Sequence, residues 1–161
     1  MHSKRITIRN FNTKDLDKVI DINRLSLPEN YIPAFFLDIH KNCSDAFQVA
    51  EVNGDIVGYI MCRIENGFSD FKRFRVVKKG HIVSIAVRSE YRKMGIGSAL
   101  LNETIKVLRR FAVNECFMEV RVNNFNAIKL YKKIGFEFIR RGHGYYQDGS
   151  DAYTMGINFS N

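Results

Sequence analysis

The stretch Arg92-Lys93-Met94-Gly95-Ile96-Gly97-Ser98 separates an apolar run, residues 82–87, from a series of apolar residues at helical spacing. Glycines at the junction of a strand and a helix let backbone N–H groups point outward with no Cβ beside them. The start of the helix also carries the positive end of the helix dipole. The stretch is therefore a candidate phosphate-binding turn. Taken alone, two glycines before a helix are more simply explained by an ordinary turn of small residues.

Hydrophobic periodicity on both sides of the turn predicts alternating strands and helices. Asn53-Gly54 predicts a type I′ hairpin turn, Asn12 or Thr13 is a candidate helix cap, and Pro33 suits a first helical turn. The predicted strands are 6–9, 47–52, 56–64, 81–87, 116–122, 136–140 and a last one carrying Tyr153, Met155 and Ile157, and the later predicted helices are 96–111 and 126–134. This order predicts an α/β protein with a single mixed sheet and helices on both faces.

Length and composition indicate one domain, residues 1–161. The chain is 45% hydrophobic and 26% charged, with no composition shift that would mark a second domain. No apolar run approaches the roughly 20 residues that span a bilayer, and the first residues lack the apolar stretch of a signal peptide. We therefore expect a cytoplasmic protein that does not enter a membrane.

The cysteines and histidines show no metal-ligand spacing. Three cysteines are an odd number, and their wide spacing without a C-x-x-C pair argues against both a disulfide framework and a zinc knuckle. We expect buried thiols and predict no metal. The residues considered are Cys43, Cys62, Cys116, His2, His40, His81 and His143.

The net charge of +8 is uneven along the chain. The segment 65–80, which has the composition of a loop or of long strand ends, is strongly basic. Ribosomal RNA near a nascent chain is one partner that such a segment could bind, and a solvated, exposed loop is the simpler interpretation. The clustered cations are Lys72, Arg73, Arg75, Lys78 and Lys79.

The run Arg92-x-x-Gly95-x-Gly97 resembles the acetyl-CoA signature Q/R-x-x-G-x-G/A of the GNAT N-acetyltransferases. Its surroundings resemble that family too, in 81–87 before the turn and in Asn124, Leu130-Tyr131 and Gly135-Phe136 after it. The stretches 27–31 (LPENY) and 145–155 (YYQDGSDAYTM) look like the N-terminal protein acetyltransferase branch, in particular the catalytic subunits of NatA-type enzymes and their archaeal relatives. The resemblance covers about residues 6–157 and implies the GNAT fold, whose central sheet of about seven strands is mostly antiparallel.

The resemblance also implies how acetyl-CoA is held as the co-substrate. Backbone amides of Lys93, Met94, Gly95, Ile96, Gly97 and Ser98 would bind the pyrophosphate, and Arg92 would add charge. The strand residues Ile85, Ala86 and Val87 would pair with the pantetheine arm, which can act as a surrogate strand. Asn124 matches an asparagine that contacts the CoA arm. Tyr131 matches the tyrosine beside the thioester sulfur, a general acid whose phenol, with an ordinary pKa of about 10, could donate a proton without tuning. The simpler interpretation of Tyr131 is one apolar position of a helix.

Three residues are candidates for the base that accepts the proton of the substrate amine: Glu29, His81 and Glu119. A protein α-amine has a pKa of about 7.7 to 8.0, so it needs only a modest base. Imidazole, with an ordinary pKa of about 6.5, suits that task. Each residue also has a structural explanation, because a loop glutamate is usually solvated and a strand histidine usually has a backbone partner. Family members of broader specificity pair residues at the positions of His81 and Glu119.

Leu27, Pro28, Glu29, Tyr31, Tyr145 and Tyr146 match residues that receive the first groups of a peptide, although clustered tyrosines also occur in ordinary interfaces. We expect an N-terminal acetyltransferase acting on Ser, Ala, Thr or Met starts, with Glu29 handling small first residues. The alternatives are an enzyme dedicated to one ribosomal protein and a non-catalytic module that binds CoA or RNA. The oligomeric state and any auxiliary subunit stay open.

Overall fold

The computed structural model describes residues 4–160, and His2 lies outside them. The chain forms two compact units. The first contains the chain up to Arg63 together with Ile82–Leu108, and the second contains Ile64–His81 and the chain from Arg109 onward. No helix in the described part is long and apolar enough to cross a bilayer. The prediction of a single domain, 1–161, stays a prediction.

Strands and helices alternate as the sequence predicts. The strands are β1 Ile6–Asn10, β2 Phe47–Val52, β3 Asp55–Phe68, β4 Val76–Val87, β5 Glu115–Arg121, β6 Glu137–Gly142 and β7 Ala152–Asn158. The helices are α1 Leu16–Ser26, α2 Pro33–Asn42, α3 Ile96–Arg110 and α4 Phe125–Ile134.

The seven strands form one sheet in the order β1-β2-β3-β4-β5-β7-β6. The pairs β1–β2, β2–β3, β5–β7 and β6–β7 are antiparallel, whereas β4 and β5 are parallel. The parallel register joins Lys79, Gly80 and His81 to Glu115, Cys116 and Phe117. The predicted mixed, mostly antiparallel sheet is therefore confirmed.

Local signals explain several boundaries. Asn12 caps the short 3₁₀ turn before α1 and forms a capping box with Asp15, so Asn12 rather than Thr13 is the cap. Pro33 is in the first turn of α2. The turn between β2 and β3 has positive φ at Asn53 (52°) and Gly54 (85°), as a type I′ turn requires.

The basic segment consists mainly of strand ends. Strand β3 extends to Phe68 rather than stopping at residue 64, and β4 begins at Val76 rather than at residue 81. Lys79 is buried, and its ammonium donates to the Asp70 carboxylate (2.8 Å) and to the Phe68 carbonyl (2.9 Å). The interpretation as a solvated loop is thus wrong for Lys79, because Phe68 and Asp70 rather than water bind its ammonium.

Candidate active site

The glycine stretch forms a turn at the start of α3, where Gly95 is exposed and Gly97 and Ser98 are half-buried. Lys93 and Gly95 have φ of 62° and 82°. The Gly95 carbonyl accepts the first helical hydrogen bond, from the Ala99 amide at 3.0 Å. Gly95 is thus the N-cap, and the next three N–H groups have no acceptor within the helix. The helix dipole and these donors suit a diphosphate. The donors belong to Ile96, Gly97 and Ser98.

Arg92 is exposed beside this turn, and its Nε donates to the Val87 carbonyl at 3.2 Å. Its guanidinium is therefore tied to the end of β4. Beyond the stretch paired with β5, β4 continues from Ile82 to Val87. The side chains of Ile82, Ser84 and Ala86 are buried, and those of Val83, Ile85 and Val87 are half-buried on the other face, as the alternation predicts.

His81 and Glu119 are joined by a hydrogen bond. The distance between His81 Nε2 and Glu119 Oε2 is 2.7 Å, and the two side chains are only 16% and 20% exposed. The His81 ring also stacks on Phe117, with centroids 4.4 Å apart and an interplanar angle of 7°. The structure thus brings together two of the three candidate bases, while their catalytic role stays a prediction.

A charge cluster that sequence reasoning missed lies beside this pair, with the side chains of Asp70 and Lys79 buried and that of Arg140 exposed. Asp70 binds Lys79 and also accepts from Arg140 at 3.0 Å. Burial alone would raise the pKa of Asp70, but the hydrogen bonds from Lys79 and Arg140 outweigh it and hold that pKa below its ordinary value. The Lys79 ammonium lies 4.5 Å from the Phe117 ring centroid. The cluster therefore fixes the ring on which His81 stacks.

The second carboxylate of the cluster is the buried Glu115. It accepts from the Ser69 hydroxyl in a very short hydrogen bond and from the Asp70 backbone amide at 2.9 Å. These contacts attach the start of the loop 69–75 to β5.

Tyr131 is buried in α4, and burial raises the pKa of Tyr131 to about 12. The side chain lies in an apolar environment that includes the Phe136 ring, 6.2 Å away, as the interpretation of Tyr131 as an apolar helix position predicts. The hydroxyl stays protonated at neutral pH, as a proton donor must.

Asn124 is the N-cap of α4, and its side-chain oxygen accepts from the Ala127 amide at 3.3 Å. This contact gives Asn124 a structural role that the sequence analysis did not assign. Its predicted contact with the CoA arm stays a prediction.

The predicted substrate loop, residues 27–31, connects α1 and α2. Its start is held by the Leu27 amide, which donates to the Asn23 carbonyl at 3.0 Å. Its end is held by Tyr31, whose ring stacks on Phe35 with centroids 4.7 Å apart. Between them Pro28 is exposed and Glu29 is half-buried. The Glu29 carbonyl accepts a hydrogen bond from the side chain of Asn23.

Tyr145 and Tyr146 lie on the connection between β6 and β7, where their rings are 5.0 Å apart and nearly perpendicular. The guanidinium of Arg121 lies 4.0 Å from the Tyr146 ring centroid and also binds Asp148 at 3.0 Å. The backbone of Tyr146 pairs with Ser150 at 3.1 Å. Both tyrosines are therefore held in a structured turn, with Tyr145 the more exposed.

Residues 4–160 contain no group of three or more His, Cys, Asp or Glu side chains that could hold a metal ion. Within the same residues Cys43, Cys62 and Cys116 form no disulfide. Cys62 and Cys116 are buried as expected, whereas Cys43 is half-buried.

The comparison with known proteins agrees with this geometry. The model of the acetyltransferase (GNAT) family matches residues 16–136, so the chain belongs to the GNAT family of acetyltransferases. An N-alpha-acetyltransferase of Sulfurisphaera tokodaii is 51% identical over 154 residues, which cover 94% of this chain and 92% of that protein. The resemblance and the enzyme class expected from the sequence are thereby confirmed.

Solved structures extend the similarity. Ard1 from Thermoplasma volcanium is 35% identical, with a TM-score of 0.84 over 97% of this chain and 99% of that one. Arabidopsis thaliana Naa50, in complex with the bisubstrate analogue CoA-Ac-MVNAL, is 28% identical, with a TM-score of 0.82 over 96% of this chain and 99% of that one.

Proposed function

We propose that this acetyltransferase transfers the acetyl group of acetyl-CoA to the N-terminal α-amine of proteins, by direct transfer in a ternary complex. The observation that carries the proposal is the start of α3, where Gly95 at positive φ precedes three N–H groups that have no acceptor within the helix. Arg92 adds a cation at that turn. Beyond it, Ile85, Ala86 and Val87 would pair with the amide-bearing pantetheine arm, because β4 continues past the stretch paired with β5.

The chemistry of the amine favours a chain end over a lysine side chain. At neutral pH, deprotonating an α-amine costs about 1 to 1.5 kcal/mol, against about 4 to 5 kcal/mol for a lysine ε-amine. The modest base that suffices is Glu29 for chains with a small first residue and the pair of His81 and Glu119 for chains that start with Met. In the neutral tautomer whose Nε2–H donates a hydrogen bond to the Glu119 carboxylate, the other ring nitrogen, Nδ1, has the lone pair that takes the amine proton, directly or through water.

The neutral amine attacks the thioester carbonyl carbon and forms the new C–N bond. Collapse of the resulting tetrahedral intermediate breaks the C–S bond and releases the thiolate of CoA, which needs a proton. Tyr131 supplies it in this scheme, since burial keeps its phenol protonated. Asn124 would contact the CoA arm with the part of its amide that does not cap α4.

The substrates are protein chains that start with Ser, Ala, Thr or Met. Leu27, Pro28 and Tyr31 on one loop, and Tyr145 and Tyr146 on the other, would receive the first peptide groups. We assign Glu29 to small first residues and the pair of His81 and Glu119 to Met starts.

Mass spectrometry after mixing the protein with acetyl-CoA and peptides that differ only in their first residue tests the proposal. We expect a mass gain of one acetyl group on several of the peptides, located at the α-amine. Turnover of one sequence only would indicate an enzyme dedicated to a single protein, such as a ribosomal one. No gain on any peptide would leave a module that binds CoA or RNA without chemistry.

We also propose that the enzyme works in the cytoplasm and contacts ribosomes through the tip between β3 and β4. There Lys72, Arg73 and Arg75 are exposed, and Phe74 is 90% exposed with a φ of 58°. Cations beside an exposed ring suit RNA phosphates and bases. Cosedimentation with ribosomes should weaken when these three cations are changed to glutamate and when salt is raised. Unchanged cosedimentation would refute the contact.

A further inference from the structure

Asn23 is a polar residue in an apolar part of the molecule. It lies in α1 with only 1% of its surface exposed, among the buried side chains Val19, Ile20 and Ile22. An amide at such a position is unfavourable unless its groups are hydrogen-bonded. Its contacts therefore indicate why an asparagine occupies this place.

The two N–H groups of the Asn23 amide are both used. One donates to the backbone carbonyl of Glu29 at 3.1 Å, and the other donates to the Tyr59 hydroxyl at 3.1 Å. The Tyr59 hydroxyl is also 2.7 Å from the hydroxyl of Ser84 on β4. A continuous chain of hydrogen bonds thus runs from the substrate loop through α1 and β3 to β4.

The direction of this chain is determined by the Glu29 carbonyl, which can only accept. The Asn23 amide must therefore turn its nitrogen toward Glu29, and the Tyr59 hydroxyl accepts from that nitrogen and shares a further hydrogen bond with the Ser84 hydroxyl. Burial raises the pKa of Tyr59 to about 12, so the phenol keeps its proton at any working pH. The arrangement does not depend on pH in the neutral range.

This orientation leaves the side-chain oxygen of Asn23 buried without a hydrogen-bond donor in residues 4–160. An unsatisfied buried acceptor is destabilising, and an apolar residue of similar size would avoid it. Packing alone therefore does not explain why an asparagine occupies this position. Its side-chain amide instead reaches the carbonyl of Glu29 on the substrate loop.

We propose that Asn23 is a positioning residue that sets the choice of first residue by holding the backbone of Glu29, with Tyr59 and Ser84 holding Asn23 in turn. The inference rests on the proposed function, in which Glu29 handles small first residues. The rest of the loop has its own attachments, at Leu27 and Tyr31. Loss of the Asn23 amide therefore displaces Glu29 locally and leaves the loop folded.

The test measures kcat/KM for matched Ser-starting and Met-starting peptides, and KM for acetyl-CoA, in the full chain. The variants are Asn23→Leu, which removes the amide, and Tyr59→Phe, which removes only its support. The matched control is Thr104→Val, because the Thr104 hydroxyl is also fully buried and has no partner in the described residues. Each variant is also made in a Glu29→Ala background.

We expect Asn23→Leu to lower the Ser-to-Met ratio of kcat/KM about fivefold, and Tyr59→Phe to lower it about twofold, because misplacing a positioned group mainly costs the substrate that uses it. KM for acetyl-CoA should not change, and neither variant should change the ratio further in Glu29→Ala. A purely structural role would lower activity on both peptides equally.

Two results would overturn the inference. In the first, Glu29→Ala shifts the Ser-to-Met ratio of kcat/KM, but Asn23→Leu and Tyr59→Phe have the same ratio as Thr104→Val. This result would refute the positioning role and leave the proposed function standing. If Glu29→Ala itself leaves the ratio unchanged, the role proposed for Glu29 fails, and the inference fails with it. Absence of transfer to every peptide would instead refute the proposed function.

Discussion

The hydrogen bond between His81 and Glu119 can be tested by a double-mutant cycle. His81→Ala, Glu119→Ala and the double variant would be compared on a Met-starting and a Ser-starting peptide. If the pair acts as one base, each single change removes the same function. The double variant should then be no worse than the more damaged single variant.

The structure gives the expected size of the effect. The pair is 2.7 Å apart and is mostly shielded from water, with side chains 16% and 20% exposed. A hydrogen bond to a charged group in such a setting contributes about 1.5 to 3 kcal/mol. If this interaction is needed in the transition state, its loss lowers kcat/KM for the Met-starting peptide about 10- to 100-fold. The Ser-starting peptide should lose less if Glu29 serves it as proposed.

Steady-state kinetics with acetyl-CoA saturating gives the four values of each cycle. The exposed Glu137 in β6 offers a control, since Glu137→Ala removes a carboxylate from the same unit without touching the pair. Melting temperatures would show whether any variant fails to fold. Strictly additive losses, or equal losses on both peptides, would refute the paired base.

Three further predictions concern other parts of the molecule. Glu29→Ala should reduce kcat/KM for Ser- and Ala-starting peptides more than for Met-starting ones, and equal losses in the peptide panel would contradict its role. Gly95→Ala should raise KM for acetyl-CoA, because a φ of 82° strains alanine by about 1 to 2 kcal/mol although no atom lies within 4 Å of the added Cβ. Gly54→Ala is the control, because Gly54 has a φ of 85° and also has no atom within 4 Å of an added Cβ. An equal KM for acetyl-CoA in the two variants would contradict the role of the glycine turn in binding acetyl-CoA. The lowered pKa of Asp70 stabilises the fold above about pH 4, and this contribution is lost as the pH falls through the folded-state value. Asp70→Asn should therefore flatten the acid limb of chemical-denaturation stability, and an unchanged limb would show that Asp70 does not contribute.

Structural features that depend only on residues near each other in the sequence were predicted correctly. The type I′ turn at Asn53-Gly54 and the glycine turn before α3 both need positive φ, which short stretches of sequence specify. The alternation of His81 to Val87 gave the two faces of β4 because side chains in a strand have a period of two. Asn23 was the exception, since an amide in line with Val19 and Ile20 on the apolar face of α1 was a readable signal that the sequence analysis did not use.

By itself the sequence determined the order of elements, the glycine turn before α3 and the family, because periodicity, turn residues and motif spacing are local properties of the chain. Only the tertiary structure decided which polar residues meet. Tyr59 lies 36 residues from Asn23 and 25 from Ser84, and Glu119 lies 38 residues from His81. The burial of Lys79 likewise depends on Asp70, which in turn binds Arg140, 70 residues away. Such partners are chosen by strand pairing and packing, since a buried charge or amide is stable only where the fold supplies its partner.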